Sequence, residues 1–82
     1  MCEMDVMNVV RRSTGVAWED SRLRAAEFMN DLKADSLAMV TIFLEIEAKL
    51  GVDVEQILSH AGAMRTVSDL IAAVQKIQRQ RG

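Results

Sequence analysis

Ser36 is the residue of this chain whose type and position best suit chemistry, and it lies in the triplet Asp35-Ser36-Leu37. Asp35 is a good N-cap, because its carboxylate can accept hydrogen bonds from unpaired backbone N–H groups at a helix start. Ser36 would then occupy the exposed first turn, where those N–H groups and the positive end of the helix dipole favour an anion. The position suits a serine that a modifying enzyme can reach and to which it attaches an anionic group. The same triplet is also compatible with plain helix capping.

The other reactive side chains do not complete a catalytic or metal site. His60 is the only histidine and the only conceivable base for a serine hydrolase, and no oxyanion-hole motif accompanies Ser36. The single cysteine, Cys2, excludes an internal disulfide and a cysteine metal cluster, and it fits a reducing cytosol. We expect Cys2 to be a terminal thiol and His60 a surface residue near a helix end. We therefore predict no catalytic residue and no metal.

The helix that positions Ser36 should end at Gly51, which can adopt the left-handed conformation that commonly closes a helix. Apolar residues follow the helical period on two opposite sides of it. The stripe that should face a core contains Met39, Ile42, Phe43, Ile46 and Leu50. The outer stripe contains Leu37, Val40, Leu44 and Ala48, with Thr41 among them and Glu45 and Glu47 on its flanks. Because 82 residues cannot bury both stripes, we interpret the outer stripe, together with Asp35, as a docking face.

Further helical segments should pack around this helix. Residues 3–13 are amphipathic, and Thr14 and Gly15 end the segment. Residues 54–60 can form a short helix, and the last helix starts at Thr66 as N-cap, with Asp69 as the acid of a capping box. The buried stripe of the last helix contains Val67, Leu70, Ile71, Val74 and Ile77.

Residues 16–34 form a long connection, which must be pinned to the core or contain local helix. The apolar side chains that should pin it are Trp18, Leu23, Phe28 and Leu32. Residues 19–29 can form a helical turn or two, with Asp20 or Ser21 as the cap.

The composition favours one all-helical domain, since half of the 82 residues are hydrophobic and the chain has no proline, four glycines and three aromatic residues. The net charge of −2 argues against nonspecific binding of nucleic acid. The apolar runs are too short to span a bilayer, and the N-terminus lacks the basic start and apolar centre of a signal peptide. We expect a cytoplasmic monomer without stable membrane insertion.

The run Phe28-Met29-Asn30-Asp31-Leu32-Lys33-Ala34-Asp35-Ser36-Leu37, with the helix after it and Gly51-Val52-Asp53-Val54, resembles the acyl carrier proteins. The resemblance spans nearly the whole chain. It implies a small four-helix bundle with a long loop between helices 1 and 2 and a short third helix. In that family the serine of the triplet, here Ser36, carries a 4′-phosphopantetheine arm donated from coenzyme A. The arm's thiol holds acyl groups as thioesters.

The resemblance also implies partners and differences from the family. A phosphopantetheinyl transferase would load Ser36, and acyltransferases, ketosynthases and related enzymes of fatty-acid-type or polyketide-type biosynthesis would use the carrier, which is not itself an enzyme. Lys33 stands where the family often has glycine before the triplet, and Glu55 stands where the short helix often begins with proline. Ala38, Thr41 and Ala48 occupy positions that strongly acidic members often fill with acids. We therefore expect docking that relies more on apolar contact.

An alternative hypothesis from a different class is a small helical adaptor. In that case Ser36 would be only a capping residue, and Leu37, Val40 and Leu44 would bind a partner helix. The presence or absence of phosphopantetheine decides between the two hypotheses.

Overall fold

A computed structural model describes the backbone of residues 2–81, and their side chains except those of residues 2, 61, 80 and 81. In this range the chain forms five α-helices and a 3₁₀ turn. They are α1 Cys2–Thr14, α2 Asp20–Ala25, α3 Ser36–Leu50, α4 Val54–Ser59, the 3₁₀ turn Ala61–Ala63, and α5 Val67–Arg81. The predicted small all-helical bundle is confirmed, with α2 as a short helix inside the long connection. The expectation for the Cys2 thiol concerns a side chain outside the described residues.

The core lies where α3 and α5 pack against α1. Its buried side chains on the three helices include Val6, Met7, Val9, Val10, Ile42, Phe43, Ile46, Val67, Leu70, Ile71, Val74 and Ile77. Both predicted core stripes are confirmed, with Met39 and Leu50 half-buried at the edges of the α3 stripe. All of the buried side chains in the described residues are apolar, so the hydrophobic effect is the main force holding the bundle together.

Helix α1 ends as predicted at Thr14 and Gly15. The Thr14 hydroxyl donates to the carbonyl oxygen of Val10 at 2.7 Å, and the Gly15 N–H donates to that of Arg11 at 2.8 Å. Gly15 has a φ of 77°, in the left-handed region that favours glycine. The glycine thus stops the helix and turns the chain into the long connection.

The long connection is attached to α1 through Arg11. Its Nε donates to the carbonyl oxygen of Trp18 at 3.0 Å, and its Nη2 lies 2.5 Å from Oδ1 of Asp20. The predicted cap of α2 at Asp20 or Ser21 is wrong, because α2 begins at Asp20 and its N-cap is Glu19, without a side-chain hydrogen bond. The Asp20 carboxylate forms an ion pair with Arg11 and does not accept a hydrogen bond as a helix cap would.

The four predicted pins of the connection all pack against the core. Leu23, Phe28 and Leu32 are buried, and Trp18 is half-buried with the Arg22 guanidinium 4.0 Å above its ring centre. This stacking is a cation–π contact. The connection is therefore fixed along its length, which allows it to position the residues that follow it.

The capping box of α5 is confirmed. The Thr66 hydroxyl accepts from the Asp69 N–H at 3.2 Å, and the Asp69 carboxylate accepts from the Thr66 N–H at 3.1 Å and from the Arg65 N–H at 3.0 Å. The hydrogen bonds from the backbone of Arg65, and then of Thr66, hold the pKa of Asp69 below its ordinary value of 3.8. Helix α4 ends at Ser59 with His60 as its C-cap, one residue earlier than the prediction.

Candidate functional site

The site begins at the N-terminus of α3. Asp35 has an extended backbone, and its carboxylate accepts a hydrogen bond from the Ala38 N–H at 2.8 Å, so it is the N-cap that the sequence predicts. Ser36 follows as the first residue of the helix and is exposed. Within the part of the chain that the structure describes, its hydroxyl makes no hydrogen bond. Asp35 performs the capping, and the Ser36 oxygen remains accessible.

The loop before Ser36 is held by backbone hydrogen bonds. The Leu32 N–H donates to the carbonyl oxygen of Glu27 at 3.1 Å, and the Ala34 N–H donates to that of Phe28 at 2.8 Å. Between them, Lys33 has a φ of 56°, a left-handed conformation in which a side chain is strained. Lys33 therefore adopts a backbone conformation that glycine would adopt without strain. Buried Phe28, Leu32 and Ala34 anchor the loop to the core.

An apolar groove opens beside Ser36, with a volume of about 450 Å³. Its walls come from the loop, from α3, from α4 and from the segment before α5. The apolar side chains that line it are Phe28, Met29, Met39, Val40, Phe43, Leu58 and Met64, and the polar ones are Glu27, Asn30, Ser36 and Arg65. Three of the six methionines line the groove, and their flexible thioether chains allow its shape to adjust.

A polar clasp joins the loop to the segment before α5 at this groove. Glu27 and Thr66 form an antiparallel bridge, in which the Phe28 N–H donates to the carbonyl oxygen of Arg65 at 2.9 Å. In the side chains, Arg65 Nη2 lies 3.6 Å from Oε2 of Glu27, and Asn30 Nδ2 donates to Glu27 Oε1. We call Glu27, Asn30 and Arg65 the groove clasp. The sequence does not predict this clasp, because the pairing of the two segments is long-range and has no local pattern.

The outer side of α3 is exposed, as the sequence predicts. The exposed fractions are 76% for Leu37, 44% for Val40 and 50% for Leu44, and Ala48, Thr41 and Asp35 are exposed as well. Leu58, at 48%, and Met29, at 70%, extend the apolar surface beyond α3. The sequence does not single out Leu58, because adjacent residues of a helix lie only about 100° apart and both can face the core, as Ile42 and Phe43 do.

The two acids on the flanks of this side are less available than expected. Glu45 is half-buried, and its Oε2 is buried without a hydrogen-bond partner among the described residues. Glu47 is exposed, but its Oε2 accepts a hydrogen bond from the Val54 N–H at 3.2 Å, at the start of α4. Part of the charge of Glu47 therefore stabilises the α3–α4 junction.

His60 does not join Ser36 in the groove. It is half-buried and lines a separate hollow with Ala63, Met64, Asp69 and others. The structure thus gives no support to a serine hydrolase with His60 as its base. In the described part of the chain, no helix combines the length and apolar character needed to cross a membrane.

Known proteins resemble the chain over most of its length. An acyl carrier protein of Chlamydia muridarum is 32% identical over 76 residues, which cover 93% of this chain and 95% of that protein. An acyl carrier protein of Rhodococcus erythropolis is 37% identical over 71 residues, which cover 85% of this chain and 74% of that protein. The chain belongs to the acyl carrier protein family.

Another similar acyl carrier protein is longer than this chain. The meromycolate extension acyl carrier protein of Mycobacterium tuberculosis is 32% identical over 76 residues, which cover 92% of this chain. The chain spans 63% of the length of that relative. No family model and no solved structure matches the chain. Membership of the acyl carrier protein family therefore rests on the curated relatives, and the helical bundle is consistent with it.

Proposed function

We propose that the chain carries acyl groups as thioesters on a 4′-phosphopantetheine arm attached to Ser36, and that it serves fatty-acid-type or polyketide-type synthesis without being an enzyme. One observation carries the proposal: Ser36 is exposed at the first position of α3 and lines an apolar groove of about 450 Å³. Membership of the acyl carrier protein family supports it. Phosphopantetheine supplies, when bound, the terminal thiol that forms the thioester.

The residues around Ser36 fit such a group. The Ser36 oxygen can form a bond to the β-phosphorus of coenzyme A without giving up a hydrogen bond to a described residue. As that bond forms, the P–O–P bridge breaks, adenosine 3′,5′-bisphosphate leaves, and the hydroxyl proton passes to a base of the transferase. The Asp35 carboxylate accepts the hydrogen bond of the Ala38 N–H. The remaining unpaired N–H groups of the first turn stabilise the negative charge of the new phosphodiester.

The groove gives the chain a second task, which is to shelter an acyl chain from water. Its walls are mostly apolar, and burying a methylene group there contributes about 0.8 kcal/mol. An acyl chain that folds back from the thiol into the groove would thus act as a tethered ligand of the native state and stabilise the bundle.

We propose three classes of partner: a phosphopantetheinyl transferase, acyltransferases, and ketosynthases with related acyl-processing enzymes. They would dock on the outer side of α3, where Leu37, Val40 and Leu44 are exposed. Asp35, Glu45 and Glu47 would add charge. Because Glu45 is half-buried and Glu47 also binds the Val54 N–H, apolar contact should contribute more than charge. The single cysteine supports a location in the reducing cytosol.

The alternative of a helical adaptor gives Ser36 only a capping role. Asp35 holds the hydrogen bond of the cap, so capping does not explain the serine. The carrier function explains both the accessible hydroxyl and the groove beside it.

A loading reaction tests the proposal. The protein without the arm is incubated with coenzyme A and a phosphopantetheinyl transferase, and its intact mass is measured. The wild type should gain the mass of one phosphopantetheine, and Ser36→Ala should gain none. Ser68→Ala is the matched control, because Ser68 is also exposed in the first turn of a helix, and it should load like the wild type. An unmodified wild type, or an equal adduct on Ser36→Ala, would overturn the carrier function.

A further inference from the structure

Arg65 lines the same groove as Ser36 and is the one positively charged residue among those that line it in the described part of the chain. Its backbone is fixed at both ends. The Arg65 N–H donates to Asp69 Oδ2 at 3.0 Å, and its carbonyl oxygen accepts from the Phe28 N–H at 2.9 Å. Its side chain is nonetheless 79% exposed. An exposed guanidinium is therefore attached to a fixed point on the groove wall.

The present partner of Arg65 is weakly held. Its Nη2 lies 3.6 Å from Oε2 of Glu27, well beyond the usual length of a charge-assisted hydrogen bond, which is about 2.7–2.9 Å. Glu27 also accepts a hydrogen bond from Asn30 Nδ2 at its other carboxylate oxygen. Glu27 would thus keep a partner if Arg65 turned away, so the exchange leaves no unpaired group in the groove clasp.

The segment that contains Ser36 carries more negative than positive charge, which favours a cation beside it. Residues 27–36 contain three acids, Glu27, Asp31 and Asp35, against a single base, Lys33. A phosphodiester on Ser36 adds a further negative charge to this segment. Arginine is well suited to bind it, because the planar guanidinium can donate two parallel hydrogen bonds to phosphate oxygens. Lys33 is exposed but does not line the groove.

We propose, on the basis of the function proposed for Ser36, that Arg65 leaves Glu27 and binds the phosphodiester attached to Ser36. Arg65 then acts as a positioning residue that directs the arm along the apolar groove, past Phe28 and Met64, instead of out into solvent. The groove clasp thus exchanges one of its contacts, Arg65 with Glu27, when the protein is loaded.

Nuclear magnetic resonance of the unloaded and loaded proteins tests this proposal. The Nε–H signal of Arg65, assigned as the one missing from Arg65→Gln, should shift on loading of the wild type. The ³¹P signal of the loaded protein should shift in Arg65→Gln. In Arg65→Lys it should return part of the way to the wild-type position, because lysine keeps the charge but lacks the planar guanidinium. Lys33→Gln is the matched control, because it removes an exposed cation near Ser36 that does not line the groove, and its ³¹P signal should match the wild type.

The outcomes separate this proposal from the function on which it rests. If the intact mass shows no arm on the wild type, both the carrier function and the role of Arg65 are wrong. If the arm is present but the Arg65 Nε–H signal is the same with and without it, only the role of Arg65 is wrong. Equal ³¹P shifts in Arg65→Gln and Lys33→Gln would also overturn it, because the arm would then sense only the general charge of the surface.

Discussion

The Asp35 carboxylate accepts a hydrogen bond from the Ala38 N–H at 2.8 Å, and this bond leaves the neighbouring Ser36 hydroxyl outside the cap. Two adjacent residues thus divide two tasks. Asp35 starts the helix, and we propose that Ser36 presents the oxygen that is modified. Mutations can separate these tasks, because one concerns stability and the other concerns loading.

Replacing Asp35 should therefore destabilise the bundle, while replacing Ser36 should not. Asp35→Ala removes the acceptor of the Ala38 N–H and should lower the free energy of unfolding by about 0.5–2 kcal/mol. Ser36→Ala should change it by less than about 0.5 kcal/mol, as expected for an exposed side chain without partners. Urea unfolding of the unloaded variants measures both. Equal losses in the two variants would show that Ser36 shares the capping role.

Lys33 offers a prediction about backbone strain. Its φ of 56° is left-handed, so Lys33→Gly should raise the free energy of unfolding by about 0.5–1 kcal/mol, because relief of about 1–2 kcal/mol of strain exceeds the entropy cost of glycine. Gly15→Ala is the reverse experiment. It should lower the free energy of unfolding through backbone strain alone, since Gly15 has a left-handed φ and an added Cβ would meet nothing within 4 Å. The prediction fails if Lys33→Gly lowers stability in urea.

The groove should stabilise an acylated carrier. We expect a medium-chain acyl form to melt at a higher temperature than the loaded form without an acyl group, because the chain gains apolar contact only in the folded state. Leu58→Glu puts a charge at the groove and should reduce this difference. Leu44→Glu is the control, since Leu44 is exposed to a similar extent, 50% against 48%, but does not line the groove. Equal melting temperatures of the two wild-type forms would contradict sheltering of the chain.

Docking should depend more on Leu44 than on the flanking acids. Leu44→Ala should lower kcat/KM for acyl transfer by a cognate enzyme by about tenfold, because truncating a leucine buried in an interface costs at least about 1.4 kcal/mol. The double variant Glu45→Lys/Glu47→Lys should have a smaller effect that salt reduces, because an ion pair of exposed Glu47 contributes only about 0.2–1 kcal/mol and half-buried Glu45 is less available to a partner.

Met4→Ala controls for the docking experiment, because it truncates an exposed apolar side chain on α1. It should leave transfer unchanged. The docking proposal is wrong if Leu44→Ala transfers normally while the charge reversal abolishes transfer even at high salt.

Asp69 gives a prediction about pH. Its pKa in the folded protein lies below the ordinary value of 3.8, so its contribution to stability is complete above that pH and is lost as the pH falls through the lower, folded pKa. Asp69→Asn should therefore flatten the acid limb of a plot of stability against pH. Unfolding by urea at a series of pH values measures the slope. An unchanged slope below pH 3.8 would contradict the role of this carboxylate.

The features that could be predicted from the sequence are those with a local cause. Asp35 and Gly51 determine the two ends of α3, the apolar spacing determines its two faces, and Thr66 with Asp69 determines the start of α5. Local residue types do not reveal contacts between distant segments. The Arg11–Asp20 ion pair shifted the cap of α2 to Glu19, and the pairing of Glu27 with Arg65 across the groove had no sequence signal.

The central claim is that Ser36 carries the phosphopantetheine arm, and one peptide of the loaded protein tests it most directly. Trypsin cuts after Lys33 and Lys49 and releases residues 34–49, in which Ser36 is the only serine and Thr41 the only threonine. Tandem mass spectrometry of this peptide should find the mass of the arm on the fragments that contain Ser36. An unmodified peptide, or fragments that place the arm on Thr41, would contradict the account.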